Sequence, residues 1–434
     1  MKKRKILTIA LAVFLAVAMF LAGFFSEMIF CGGKYSELEW MIDKIDAHYM
    51  ELDENGNVRE FTAEDYINII DNGKKLKADN YGLLDRYSEY YTKEEYNEVL
   101  SSKEGNATGI GVALDANGNG LTVRQIAFNS PLDKAQMAYG VDLRGKSITK
   151  VNGVAVSDRT AFNTEIVKYS NGQDFTIEFD ETICLTVKSV AYVQSYFKYF
   201  DSDSAIIFSS EYGYKPVKDI IDSSSSLYAL PKDTAYIIFN HFNGNAVEEF
   251  KIIMEYLKQK GKKKVILDLR DNGGGYMDIL CDVASYLMKG TAKNKLVTAV
   301  KYKDGKIDEY KTGANNYVPI DKLTVIANEN SASASECLIG ALLVNGDLKK
   351  ENLIVTNSTG TSYKTYGKGI MQTTYSLPDG GGLTLTTATY STGETECYHG
   401  VGISPDVESV YDPSAETDTQ LEDAKSTLSK LLDQ

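Results

Sequence analysis

Ser331-Ala332-Ser333-Ala334-Ser335-Glu336 lies between an apolar run, Thr324-Val325-Ile326-Ala327, and a helical apolar stripe over 336–344. A strand-to-helix junction exposes backbone N–H groups at the positive end of the helix dipole. A serine there can be a nucleophile whose neighbouring N–H groups receive an oxyanion. Small alanines let a substrate backbone come close. The same residues also suit plain N-capping, with Ser333 or Ser335 as the cap and Glu336 in the first turn. On chemistry alone, capping is the ordinary use of such a segment.

Two further segments carry groups of the right kind. Arg270-Asp271-Asn272-Gly273-Gly274-Gly275 follows the apolar run Val265–Leu269 and precedes a helical stripe. Glycine amides can face an anion, or they can simply turn the chain. No Gly-Lys-Ser/Thr follows and the G-x-G-x-x-G spacing is absent, so this is neither a P-loop nor a dinucleotide fingerprint. Gly367-Lys368-Gly369 sets one lysine between glycines just before a strand. A lysine with a buried stem can lose its proton and act as a base, though most lysines are surface residues. Three histidines, His48, His241 and His399, leave a Ser-His-Asp set open, because triads assemble from distant positions. The same scarcity of His, and five scattered cysteines without a C-x-x-C pair, speak against a metal site; no metal and no cofactor is expected.

The elements that must position these groups follow from periodicity. Residues 34–100 are polar, Tyr-rich and helical in pattern, with a capping-box match at Thr92-Lys93-Glu94-Glu95. Residues 101–190 show short β runs at 110–114, 121–123, 147–151 and 175–179, a Pro-led helix at Ser130-Pro131, and a second helix near 160–169. That order describes a small α+β barrel. Residues 191–230 have no clean period. From 233 onward β and α patterns alternate, which argues for helices on a largely parallel sheet. A hairpin, 371–377 against 383–390, and a short amphipathic helix over 417–432 close the chain. The fold class expected is α/β, α+β when the whole chain is counted.

The chain has 434 residues, with 46 Lys+Arg against 60 Asp+Glu and a net charge of −14. Such an acidic protein is a poor nucleic-acid binder. At the N-terminus Met1-Lys-Lys-Arg-Lys5 precedes an uncharged stretch, Ile6–Phe24. A helix of that length can just cross about 30 Å of hydrocarbon. Positive charge before it would keep the N-terminus inside and send the rest outward. The expectation is a single-pass anchor over 1–33 with the bulk of the chain outside the cytoplasm, or else secretion after signal cleavage.

Taken in order, several segments resemble the C-terminal processing peptidases, or tail-specific proteases. Leu84-Asp85-Arg86-Tyr87-Ser88-Glu89-Tyr90-Tyr91-Thr92 is similar to the family's Asp-Pro-Tyr-Ser segment, Thr108–Val112 and Asn129–Ala135 to the start and first helix of its PDZ domain, and Ala235–Phe239 to its Gly-Tyr-Ile strand. Leu267–Gly275 resembles its Asp-Leu-Arg-Asn-Asn-Pro-Gly-Gly loop, Ser331–Glu336 its nucleophile motif, Tyr366–Gln372 its lysine motif, and Gly400–Val407 its closing Gly-Ile-x-Pro-Asp. The resemblance covers about residues 82–430. It implies a Ser–Lys dyad with Ser333 as nucleophile, a buried neutral Lys368 as base, and Gln372 orienting it. It also implies an oxyanion hole from the amides of Ala334 and Gly274, and tail binding at Gly109, Ile110, Gly111 and Val112. The domains implied are a helical segment (34–100), a PDZ domain (101–190) that selects and gates, a crotonase-like protease core (191–415) and a C-terminal helix (416–434). Substrates would be proteins with apolar C-terminal tails; a homodimer through the N-terminal helices is left open.

The sequence departs from the pattern in places. Gly273 stands where Pro is usual, and Arg144-Gly145-Lys146 where Pro-Gly-Asp is common. The 35-residue step from Ser333 to Lys368 is longer than expected, with the extra length placed in the polar stretch 347–362. Three other readings compete: a PDZ scaffold on an inactive protease fold, a Ser-His-Asp esterase using His241 or His399, and an acyl-CoA enzyme. The joint presence of Ser333, Lys368 and Gln372 argues against the first, and the export signal against the last.

Overall fold

The computed structural model describes residues 36–430 except 53–57, 63–64, 67–84, 118–119, 181, 209–215, 218–227, 291–293, 314–315, 358–362, 379, 393–397, 411, 413–414 and 416. The chain divides into two compact units. One comprises the described residues of 1–96 with 302–304 and 372–388; the other takes 97–301, 305–371 and 389–434.

In the first unit the helix Ser36–His48 sets Ile45 against Leu383 and Leu385, with Tyr49 fully buried beside them. The strand Glu89–Tyr91 pairs antiparallel with 382–384. The capping box forms as its residues predict: Thr92 N–H donates to Glu95 at 2.9 Å, and Glu95 N–H to Thr92 Oγ1 at 3.3 Å.

The larger unit begins with an antiparallel sheet. Its order is Val112–Asn117, Gly120–Ile126, Ser147–Val151, Asp174–Phe179, Ile183–Lys188, with Val154–Ala155 folded onto the third. Alternation turns Leu121, Val123, Phe175, Ile177 and Phe179 inward against Leu132 and Phe162 of two helices, Pro131–Tyr139 and Arg159–Val167. The first helix starts where Ser130 accepts from Asp133 N–H at 3.1 Å and Pro131 needs no N–H partner; it ends at left-handed Gly140.

An eight-stranded sheet follows in the same unit. The order is Pro216–Val217, Ala205–Phe208, Phe197–Phe200, Thr234–Phe239, Lys264–Asp268, Lys322–Asn328, Leu353–Asn357, Val407–Val410. The last five run parallel and the first three pair antiparallel. Thr234–Phe239, Lys264–Asp268 and Lys322–Asn328 are buried over most of their length, so they read as apolar runs, whereas the edge strand Val407–Val410 buries Ser409 alone. On one face Leu421, Ala424 and Leu428 of the helix Thr419–Lys430 pack over Tyr236, Ile266, Ile326 and Ile354. The helices Ala246–Lys260, Met277–Leu287 and Ala334–Val344 pack side by side.

Two expectations are corrected. The stretch 347–362 is not simply polar insertion: it carries Leu353–Asn357, whose Leu353, Ile354 and Val355 are wholly buried and pair with Val325–Ala327. Sparse apolar residues sufficed because a parallel neighbour supplies the rest of the burial. The single-pass membrane anchor is also overturned: among the described residues no helix is long and apolar enough to cross a membrane. The segment on which that expectation rested, 1–33, lies outside the described residues.

Candidate active site

Parallel strands deliver their loops at one end of a sheet, and ligand sites collect there. Lys264–Asp268 and Lys322–Asn328 are adjacent and parallel, so the glycine loop and the serine turn emerge side by side. Arg270 fixes the base of the glycine loop. Its guanidinium donates to both Asp268 oxygens, to Asp418 at 2.7 Å and to Gln420. Burial alone would raise the Asp418 carboxyl, but Arg270 and Arg144 together hold it far below the usual range.

Asn272 binds the two loops together and is fully buried. Its carbonyl accepts from Ala332 N–H at 3.0 Å and from Ser335 Oγ at 2.8 Å; its side chain donates to Phe239 O and accepts from Gly274 N–H at 3.0 Å. Ser331 Oγ donates to Leu269 O at 2.7 Å. Ser331 and Ser335 are thus both buried and committed to backbone carbonyls. Ser335, expected to cap the helix, lies inside its first turn.

Ser333 is the residue at the N-cap. It is half-buried between buried neighbours, with φ 58° and ψ −119°. A positive φ is unusual outside glycine, and such strain persists only where the surroundings fix it. Gly274 explains the fit: a Cβ placed there would stand 2.7 Å from Ser333 Cβ and 2.8 Å from Ala334 N. The glycine loop therefore closes directly on the serine turn, beside the Ala334 amide.

Glu336 joins this turn to the lysine loop. Its carboxylate accepts from Ser333 N–H at 3.0 Å, Gly367 N–H at 2.7 Å, Lys368 N–H at 2.8 Å and the Thr365 hydroxyl. Burial pushes its pKa up, while these four hydrogen bonds oppose the rise. Tyr366 N–H donates to Ser331 O at 3.0 Å, and the segment 400–403 braces the loop through Gly400 N–H to Gly367 O and Ile403 N–H to Thr365. The Tyr390 hydroxyl donates to Lys368 O. Lys368 itself is half-buried. Gln372 belongs to the other compact unit, where its Nε2 donates to Thr386 Oγ1 at 3.0 Å.

The histidines divide. His399 Nδ1 accepts from Gly369 N–H at 3.3 Å. His241 Nδ1 is out of solvent without a hydrogen-bond partner, and burial, then the charge of Lys368, lower its pKa to about 4. Among the described residues no cluster of His, Cys, Asp and Glu has the make-up of a metal site.

The segment 109–112 links two strands: Gly109 ends the strand Asn106–Gly109, paired with Val190–Val193, and Val112 opens Val112–Asn117. Gly109 and Gly111 have φ of 129° and 79°, and a Cβ on Gly111 would stand 2.2 Å from Ser130 Cβ. Ile110 O and Gly111 O accept from Leu132 and Ala127.

Sequence reasoning missed the clamp by Glu336, the bridging by Asn272 and the hydroxyl of Tyr390. The first had a signal, an acid three residues after the N-cap serine. The other two had none, because the partners they reach across to, Ser335 and Lys368, lie 63 and 22 residues away in sequence.

Comparison with known proteins gives a consistent picture. Residues 233–409 match the family model described as peptidase family S41. A protein of Staphylococcus aureus named "Probable CtpA-like serine protease" is 30% identical over 359 residues, covering 81% of this chain and 63% of that protein. Its namesake in Staphylococcus haemolyticus is 29% identical over 349 residues, covering 79% and 61%. The chain thus spans about 63% of the length of the curated relatives it matches. A solved structure from Bacteroides fragilis, named "Putative S41 protease", shares the fold with TM-score 0.56 at 15% identity, covering 90% of this chain and 97% of that one.

Proposed function

We propose, from the match of residues 233–409 to the model of peptidase family S41, that the chain is a serine endopeptidase that cuts proteins near their C-termini. One observation carries this reading: Ser333 stands strained at a helix N-terminus, against Gly274, and a single carboxylate, Glu336, holds both its turn and the Lys368 loop.

Ser333 Oγ attacks the scissile carbonyl carbon while Lys368 Nζ takes its proton. Charge gathers on the carbonyl oxygen, and the Ala334 amide at the helix N-terminus faces it. Gly274 is the second donor in this scheme; its N–H, now on Asn272 Oδ1, is shared with the oxyanion. Collapse of the intermediate breaks the C–N bond, and the leaving amine takes the proton from Lys368. Water then attacks the acyl-enzyme with Lys368 again as base; collapse breaks the ester bond to Ser333 Oγ, which takes the proton back from Lys368, and the new C-terminal carboxyl leaves. Gln372 is assigned the orienting role. Residues 101–190 are assigned as a PDZ domain, with the 109–112 segment receiving the carboxylate of an apolar substrate tail.

The test is cleavage of an unstructured protein with an apolar tail. Ser333→Ala and Lys368→Arg should each abolish it, since arginine stays charged and cannot act as base. His241→Ala and His399→Ala should retain it. Turnover by Ser333→Ala would reject the assignment.

A further inference from the structure

Tyr366 and Val401 are large apolar side chains left 38% and 58% exposed. Single exposed apolar residues are common on any surface. These two are set apart by where they stand. Tyr366 N–H donates to Ser331 O at 3.0 Å, so Tyr366 opens the lysine loop against the turn that carries Ser333. Val401 belongs to the turn 400–402, which lies on the same loop. Gly400 N–H donates to Gly367 O at 2.8 Å, and a Cβ on Gly367 would stand 2.9 Å from Gly402 N and 3.1 Å from Val401 N. A glycine with φ 86° at 367 is what lets the turn come that close. Among the described residues, no other large apolar side chain is exposed on the loops that hold Ser333, Gly274 and Lys368.

On the peptidase reading, the path of the proton decides which half of a substrate passes here. Lys368 Nζ takes the proton of Ser333 Oγ and hands it to the leaving amine. That amine must therefore come within hydrogen-bond reach of Nζ. The carbonyl oxygen of the same bond turns the other way, to the amides of Ala334 and Gly274. The acyl half then lies toward the glycine loop, and the half that begins with the new amine leaves across the lysine loop. Its first side chain, one carbon from the amine, is the one that reaches Tyr366 and Val401. An aliphatic group there takes its own surface and theirs out of water together.

We propose that Tyr366 and Val401 form an apolar subsite that selects an aliphatic residue directly after the cleaved bond. This rests on the peptidase reading above.

The experiment uses the full chain and one unstructured substrate protein whose cut bond is mapped by mass spectrometry. Three versions carry Leu, Asn or Lys directly after that bond; Asn matches Leu in shape. The wild type should favour Leu over the other two by about tenfold in kcat/KM, the scale of an apolar contact made or lost. Tyr366→Ser and Val401→Ser should each level the order, and Val401→Asp should put Lys first. The order within each variant is read, so a general loss of activity does not move it. Labelled peptides spanning the site, bound to the full-length Ser333→Ala chain, read the same order without turnover. Equal rates and equal binding for the three versions, or an order untouched by all three variants, overturns the proposal. Selective binding that follows the variants, with no cleavage by the wild type, would instead overturn the peptidase reading and leave the subsite standing.

Discussion

A serine with φ 58° costs roughly 1–3 kcal/mol, and the residues around Ser333 show what holds it there. Glu336 spends its carboxylate on Ser333, Thr365, Gly367 and Lys368, and so sets the nucleophile and base loops in one geometry. Glu336→Gln keeps one acceptor oxygen but turns an amide nitrogen toward backbone N–H groups. Each charge-assisted bond lost is worth roughly 1.5–3 kcal/mol. We therefore expect kcat to fall by about ten- to a hundredfold or more, with KM little changed and Ser333 labelled more slowly by an active-site phosphonate. A variant with wild-type kcat would show that the two loops keep their places without this carboxylate. At this scale the sequence was informative about residues and silent about roles. Glu336 reads as a capping-box acid, which it is, yet its other two amide partners lie 31 and 32 residues on. No local pattern encodes that distance.

The elements that meet at the site differ in how much they tolerate. Gly274 has φ 98°, and any Cβ there would strike Ser333 and the Ala332 carbonyl, whereas a Cβ on Gly273 would meet nothing within 4 Å. Gly274→Ala should displace the loop from the serine turn and cut kcat by about a hundredfold or more, the scale of a lost oxyanion donor. Gly273→Ala should stay within about threefold, as for a substitution in open space. Similar losses in both would mean that loop flexibility, not close approach, is what the glycines supply. The alternation of strands and helices from 233 onward was legible because each buried strand is a short apolar run bounded by turn residues. Phe197–Phe200 was not. All four of its residues are buried, Lys198 included, and the lysine disguises the run. Lys198 can lie there because Asp133, on the helix Pro131–Tyr139, meets its ammonium at 2.5 Å.

Across the larger unit, that ion pair belongs to a polar seam joining the antiparallel sheet to the eight-stranded one. Arg144 approaches Asp418 at 3.5 Å, and Asn240 Nδ2 donates to Ile126 O at 3.2 Å. The seam was invisible in sequence, since its partners are 65 to 274 residues apart. At the crossing itself, Tyr196 and Phe197 offer their N–H groups to Glu249 Oε2 at 2.8 and 3.0 Å, while Oε1 is buried with no partner. Burial outweighs the two hydrogen bonds and pushes Glu249 up to about 8. The folded state thus binds this proton more tightly than the unfolded chain, whose carboxyl titrates near the ordinary 4.5. Stability from this group is fully present below about pH 4.5 and is lost as pH rises through about 8, where the native carboxyl must ionise in place. Glu249→Gln keeps an oxygen for both N–H groups and has no proton to lose. Its melting temperature relative to wild type should therefore climb between pH 5 and 8, by an amount equivalent to roughly 1 kcal/mol or more, and level off above. Thermal unfolding of the pair across that range is the measurement. A constant offset would place the Glu249 titration outside this window and deny it any part in the pH dependence of the crossing.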